Sequence, residues 1–316
     1  MRKLMLVISI VAMSMNAGCA FATSVQDSLR YPVTDYNGIT YDLRLAYDST
    51  GTPSHYHAHM LTPVCDDNVC KPVYINLYWD LMGNYLRYDV PPKYPLTKMD
   101  HEEFGKEEYE KLHGILADSN SLLKEYKTEE LVESASNTMP GDVDAVTGAT
   151  AKSLQAVIIP GALYTCYTLW HITHGRVTDT IAKITDSITT PQLLSHFLAS
   201  RNHHYQYYAL DKVMDSQGNV DRNHEQQVIR LITDPNLFLA IAVLKRLSPA
   251  YFADAESQLW LWAAFRDGNY RLKLGILEKL AQLKLADSLR SLLEMQKGEF
   301  NEDIAKRIEY LLNKQS

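Results

Sequence analysis

Beyond Pro191 the chain repeats itself. Four apolar-rich segments close on tetrads of one kind: Leu210-Asp-Lys-Val213, Leu244-Lys-Arg-Leu247, Leu277-Glu-Lys-Leu280 and Ile308-Glu-Tyr-Leu311. Their first residues are spaced 34, 33 and 31 apart. Within each unit a polar break separates two apolar runs: Ser200-Arg-Asn202, Thr233-Asp-Pro-Asn236, Arg266-Asp-Gly-Asn269 and Gln296-Lys-Gly298. A period of this length holds two helices, and a lone helical hairpin cannot bury its apolar stripe without a neighbour. The period therefore predicts stacked α-hairpins over residues 190–316. Such a stack offers a binding surface or docks against the domain before it.

Residues 23–185 follow a different period. Tyr41, Leu43, Leu45 and Tyr47 alternate, as do Val73, Ile75, Leu77 and Trp79 with Tyr74, Asn76 and Tyr78 between them. Leu86, Tyr88 and Val90 repeat the pattern, so three half-buried strands are expected. Asp80-Leu-Met-Gly83-Asn84 reads as a hairpin connection. Pro91-Pro92 and Pro95 end the sheet region. Asp100-His-Glu-Glu103 then opens a helix as a capping pair, running to about Ala117 with Phe104, Tyr109, Leu112 and Leu116 on one face. Residues 118–138 are polar, a loop with a short helix near Thr128–Ser134. The apolar run from Leu154 to His171 predicts a buried helix broken at Pro160-Gly161 and stopped at Gly175. The expected fold class is an α+β N-terminal domain, an antiparallel sheet with helices, followed by an all-α helical-hairpin repeat domain.

Residues 1–22 fit a secretory signal peptide: Met1-Arg2-Lys3, an apolar run from Leu4 to about Met15, and Ala20-Phe21-Ala22 as a small-x-small cleavage site. Asn16-Ala-Gly-Cys19 also fits a lipobox, so the expectation is export to the periplasm or cell envelope, either soluble or anchored through Cys19. Elsewhere no apolar run approaches the roughly 20 residues of a membrane-spanning helix. In an exported chain Cys65 and Cys70, flanking a polar turn, suit a disulfide that staples the loop. A redox-active pair is the alternative, but four intervening residues are not the Cys-x-x-Cys spacing of thiol oxidoreductases. Cys166 sits in the apolar run and reads as a small buried side chain. The chain has 31 Lys and Arg against 38 Asp and Glu, net −7. That balance argues against nucleic-acid or anionic-membrane partners.

Chemistry-bearing groups are few. No Ser-His-Asp set, catalytic carboxylate pair, phosphate loop or haem-attachment motif stands out. His55, His57 and His59 alternate, so a strand would aim all three one way, as surface histidines or as part of a metal site. No Cys, Asp or Glu nearby completes a ligand set. His171 and His174 are one helical turn apart without a third ligand. Tyr164, Tyr167 and Trp170 form a stripe that suits core packing or stacking on an aromatic ligand.

One stretch carries more. Asp144-Ala-Val-Thr147-Gly148-Ala149-Thr150 leads from an acidic residue through a flexible Gly to a Thr able to cap the following helix. As a unit, Asp-x-x-Thr-Gly-Ala-Thr resembles the flavinylation signature of the FMN-binding domain family. That resemblance implies FMN esterified through its phosphate to Thr150 by a separate flavin transferase. Asp144 would then serve recognition by the transferase, with Thr147, Gly148 and Ala149 shaping the turn. Lys152 stands where family members often carry Thr; it either adds positive charge near the phosphate or is a solvated helix residue. The C-terminal repeats resemble HEAT-type hairpins in period. Together these imply an exported flavoprotein relaying electrons to or from an extracytoplasmic redox protein. Two other readings are a non-catalytic envelope scaffold that binds through its repeats, without flavin, and a metal-binding protein using His55, His57 and His59.

Overall fold

The structure, a computed structural model, describes residues 29–65, 70–98, 101–126 and 157–314. Five antiparallel strands form a meander in sequence order: β1 (Arg30–Thr34), β2 (Thr40–Tyr47), β3 (Pro53–Thr62), β4 (Val73–Trp79) and β5 (Tyr85–Asp89). Short Asp-x-x-Gly turns close three of the connections. In the β4–β5 turn, Oδ1 of Asp80 accepts from the backbone N–H of Met82 (2.8 Å) and Asn84 (2.9 Å), and Gly83 sits at φ +82°. An L side chain rarely adopts that angle, so the turn selects Gly. Asp35 and Asp48 bond the backbone two and four residues on in the same way, and Asp215 repeats the arrangement among the helices. The connection between β3 and β4 is closed by a disulfide, Cys65–Cys70.

The alternation expected of β2 and β4 is present: Tyr41, Leu43, Leu45, Val73, Ile75, Leu77 and Trp79 are buried on one face. On β5 the pattern breaks. Tyr88 pairs with Leu77 and Tyr85 with Trp79, with a register shift between. The extra residue is Leu86, which is 46% exposed rather than sharing the inner face with Tyr88. A bulge of this kind sends the following side chains to the opposite face.

Three helices cover the buried face. The first, α1 (Lys106–Ala117), ends where expected but starts later. Its N-cap is Gly105, whose N–H donates to the Glu108 carboxylate (2.7 Å), and Lys98 pairs with the same carboxylate (2.7 Å). Glu103, expected to cap, instead bridges backbone to Thr97. The second, α2 (Leu163–His174), starts after Pro160-Gly161, so that dipeptide breaks the apolar run; Gly175 ends it. Trp79 donates its indole N–H to the Thr173 carbonyl (2.9 Å), fixing α2 beneath β4. The third, α3 (Arg176–Ile188), is not marked by the sequence patterns above. It buries Val177, Ile181, Ile184 and Thr185.

The remaining helices pair as α4 (Pro191–Ala199) with α5 (His203–Val213), α6 (Glu225–Arg230) with α7 (Leu237–Arg246), α8 (Ala255–Asp267) with α9 (Tyr270–Leu280), and α10 (Asp287–Gln296) with α11 (Glu302–Lys314). Each second helix opens beside an Asn whose side-chain oxygen accepts a backbone N–H of the first turn: Asn202, Asn236, Asn269 and Asn301. An Asn cap satisfies an N–H that the helix itself leaves without a partner. The tetrads tie successive units together. Lys212 pairs with Asp186 of α3, Arg246 with Asp211, and Lys279 donates to the Leu247 carbonyl, each at 2.7 Å. The third tetrad residue thus reaches back to the preceding helix layer three times over.

Sheet and helices meet at the β4–β5 turn. Asn202 donates to Oδ2 of Asp80 (3.3 Å), and the Leu81 N–H donates to the Tyr205 hydroxyl (3.1 Å). Thr185 donates to the Leu81 carbonyl (2.7 Å). One hydrophobic core runs from β1 to α11 without interruption.

Candidate functional site

Asp144, Thr147, Gly148, Ala149, Thr150 and Lys152 lie outside the described residues, as do residues 1–22, Cys19 and Thr128–Ser134. The described chain on either side of that stretch is tied to one helix. On the near side, the Tyr126 carbonyl accepts from the Tyr167 hydroxyl (3.2 Å); on the far side, the Ile159 N–H points at the Cys166 sulfur (3.5 Å). Further along α2, Trp170 donates to the Asp118 carbonyl (2.8 Å), His171 to Leu123 (3.1 Å) and His174 to Leu116 (2.8 Å). Four side chains of α2 therefore satisfy backbone carbonyls of residues 116–126, groups that would be costly to bury unpaired.

These bonds settle what several candidates do. Tyr167 and Trp170 are core residues with their polar atoms engaged, and Tyr36 completes an aromatic cluster over Tyr167 and His171. His171 and His174 each use a ring nitrogen on a carbonyl, and burial holds both below the ordinary histidine range. Among the described residues no three His, Cys, Asp or Glu side chains are grouped to hold a metal ion. Cys166 is buried and its thiol is pushed up to about 11 by that burial, which makes it inert at neutral pH.

His55, His57 and His59 do point to one side, the face of the sheet away from the helices. The rings of His55 and His57 are 5.9 Å apart, and each lies 5.8 Å from the ring of Tyr78. The Arg87 guanidinium sits 3.7 Å above the Tyr78 ring. Burial first, then His55 and Arg44, pull His57 down to about 4. Neutral imidazoles suit a metal, but the charged neighbours acting on this pair are arginines, which repel one.

Two clefts of about 760 Å³ each lie on the surface. One is walled by Tyr88, Phe104 and Tyr109 with Glu103 and Glu110 at its edge. The other spans the turns of the first two helix pairs, among Arg201, Arg230, Gln206, Gln227 and Asp234. The polar breaks at 200–202 and 233–236 locate this second cleft in the sequence, but not its depth.

No protein-family model matches the chain, and no curated protein or solved structure matches it. Among the described residues no helix is long and apolar enough to cross a membrane.

Proposed function

We propose that this chain is an exported flavoprotein that carries FMN as a phosphoester on Thr150 and passes electrons to or from an extracytoplasmic redox protein. The string Asp144-Ala-Val-Thr147-Gly148-Ala149-Thr150 carries the reading. A Thr hydroxyl is a poor nucleophile, so a flavin transferase must activate it, and Asp144 is the residue such an enzyme recognises. Small side chains at Gly148 and Ala149 suit an uncrowded approach to that hydroxyl, and Lys152 would supply a positive charge for the phosphate. When bound, the isoalloxazine supplies one- or two-electron chemistry; the protein supplies tether, packing and polarity. The Cys65–Cys70 disulfide accords with an oxidising compartment outside the cytosol, where a covalent tether keeps a cofactor that is not readily replaced.

The test is co-expression with a flavin transferase in an exporting host. The exported protein is expected to be yellow and to gain the mass of one FMN less one water, and Thr150→Ala to lose both. An unmodified, colourless protein under those conditions sinks the reading and leaves the scaffold. One observation favours that second reading: Phe238, 71% exposed, stands over a cleft of about 280 Å³ between α7 and α9 that is also lined by Ile241 and Leu274. HEAT-like hairpins use such grooves between units to bind other proteins.

A further inference from the structure

The open face of the sheet carries an arrangement that flavin chemistry does not use. The cross-strand register places Arg30 opposite Arg44, Arg44 opposite His57, His57 opposite Tyr78 and Tyr78 opposite Arg87. One row thus crosses all five strands. Its two ends differ. Arg87 is paired with Asp89 and rests on Tyr78. At the other end, among the described residues, neither Arg30 nor Arg44 forms an ion pair. Like charges directly opposite across two strands are destabilising, so their juxtaposition opposes folding when nothing lies between them. The next residue in the row, His57, keeps its Nδ1 buried with no hydrogen-bond partner. That is a second unmet demand in the same row, one strand beyond Arg44, for a group that exchanges a hydrogen bond with an imidazole.

We propose that Arg30, Arg44 and His57 form a binding site for a small soluble oxyanion, a phosphate ester or a dicarboxylate, on the solvent face of the sheet. Guanidinium forks match phosphate and carboxylate oxygens in pairs, and two of them facing each other define a place for one such group. The row also sets the size. Neighbouring strands are about 4.8 Å apart, so the three residues span roughly 10 Å, enough for one phosphate ester or a short dicarboxylate. A cation is disfavoured there, because Arg44 and Arg87 both act on the histidines. The other titratable and charged groups on this face are His55 and His59 of β3, Asp42 two residues from Arg44 on β2, Tyr74 and Tyr78 of β4, and the Arg87–Asp89 pair of β5. Asp42 lies opposite Pro32. Burial first, then the charges of His55 and Arg44, keep His57 neutral, and an oxyanion between the arginines offsets the Arg44 part of that. His57 then takes a proton from solvent and donates through Nδ1, so binding strengthens as pH falls.

NMR titration of the His57 ring in the full chain without flavin tests this, with inorganic phosphate, succinate, or chloride at matched ionic strength. With phosphate or succinate the His57 midpoint is expected to rise by about one pH unit, equivalent to about tenfold tighter binding to the protonated form. Chloride produces only general screening. Whichever of phosphate and succinate gives the larger rise identifies the ligand class. The Arg30→Gln, Arg44→Gln double variant, on the solvent face and checked for an unchanged amide spectrum, abolishes the rise. Equal midpoints in phosphate, succinate and chloride overturn the proposal, as does a rise that survives in the double variant. A midpoint moved only by an acidic protein makes this face a protein-docking surface instead. None of these outcomes depends on Thr150.

Discussion

Replacing Asp80 by Ala removes a buried carboxylate on which two parts of the molecule converge. Asp80 as a residue is 4% exposed, and its carboxylate accepts from Met82 N, Asn84 N, Asn84 Nδ2 and Asn202 Nδ2 at 2.8 to 3.3 Å. The two side-chain amides can turn to solvent in the variant, whereas the two part-buried backbone N–H groups are held in place by the tight turn. A buried donor left without a partner costs about 1–3 kcal/mol, so a loss of about 3 kcal/mol is expected. That is a large part of a typical stability of about 5–15 kcal/mol. The same Asp-x-x-Gly turn provides its own controls, because Asp48 and Asp215 make matching backbone bonds at the surface. Urea unfolding followed by tryptophan fluorescence should rank Asp80→Ala well below both Asp48→Ala and Asp215→Ala. A double-mutant cycle with Asn202→Ala should return a coupling of about 0.5–1 kcal/mol, since the two residues share a bond. If Asp80→Ala unfolds with the midpoint of Asp48→Ala, the turn is only a local hairpin and the docking argument fails.

Three further outcomes follow from buried or cross-linked groups. Burial holds Lys279 below the ordinary lysine range, so between that lowered value and about 10.4 the unfolded chain binds the extra proton. Stability therefore rises with pH across that window; Lys279→Met should remove the rise in unfolding measured from neutral pH to 10.5, and parallel curves would contradict it. Burial likewise keeps His174 neutral in the fold, so stability should fall as pH drops below about 6.5. His174→Gln keeps a donor for the Leu116 carbonyl and should flatten that fall; an unchanged acid limb rules the histidine out as its source. The Cys65–Cys70 bond closes a short loop, with the cysteines five residues apart. Cys70→Ser should lose about 2 kcal/mol and make unfolding indifferent to reductant; a reductant-insensitive parent protein would show that the bond contributes nothing.

Much of the architecture is legible in the chain because the signals are local. Period-two alternation marks β2 and β4. The tetrad spacing and polar breaks mark the helix pairs, although the Asn that ends the first three breaks, and Asn301 three residues past the fourth, is a sharper signal than the breaks themselves. The failures are physical as well. Leu86 faces solvent because a bulge adds one residue, and alternation counts on there being none. In α3, Val177, Thr178, Thr180, Ile181, Ile184, Thr185 and Ile188 are β-branched, a composition that weakens helix propensity and hides a buried helix stripe. Acidic residues at 100–103 advertise a cap, but the backbone bridge from Thr97 to Glu103 delays the helix to Gly105. The row from Arg30 to Arg87 exists only through strand register, which no single stretch of sequence contains. The flavin motif is the reverse case, read from seven consecutive residues and lying outside the described structure.

The central claim is a covalent bond, and mass spectrometry reads it directly. After co-expression with a flavin transferase and export, the peptide spanning Asp144 to Lys152 should carry the mass of one FMN less one water, localised to Thr150 by fragmentation. A bare peptide from fully exported protein, with transferase and flavin both supplied, would contradict it.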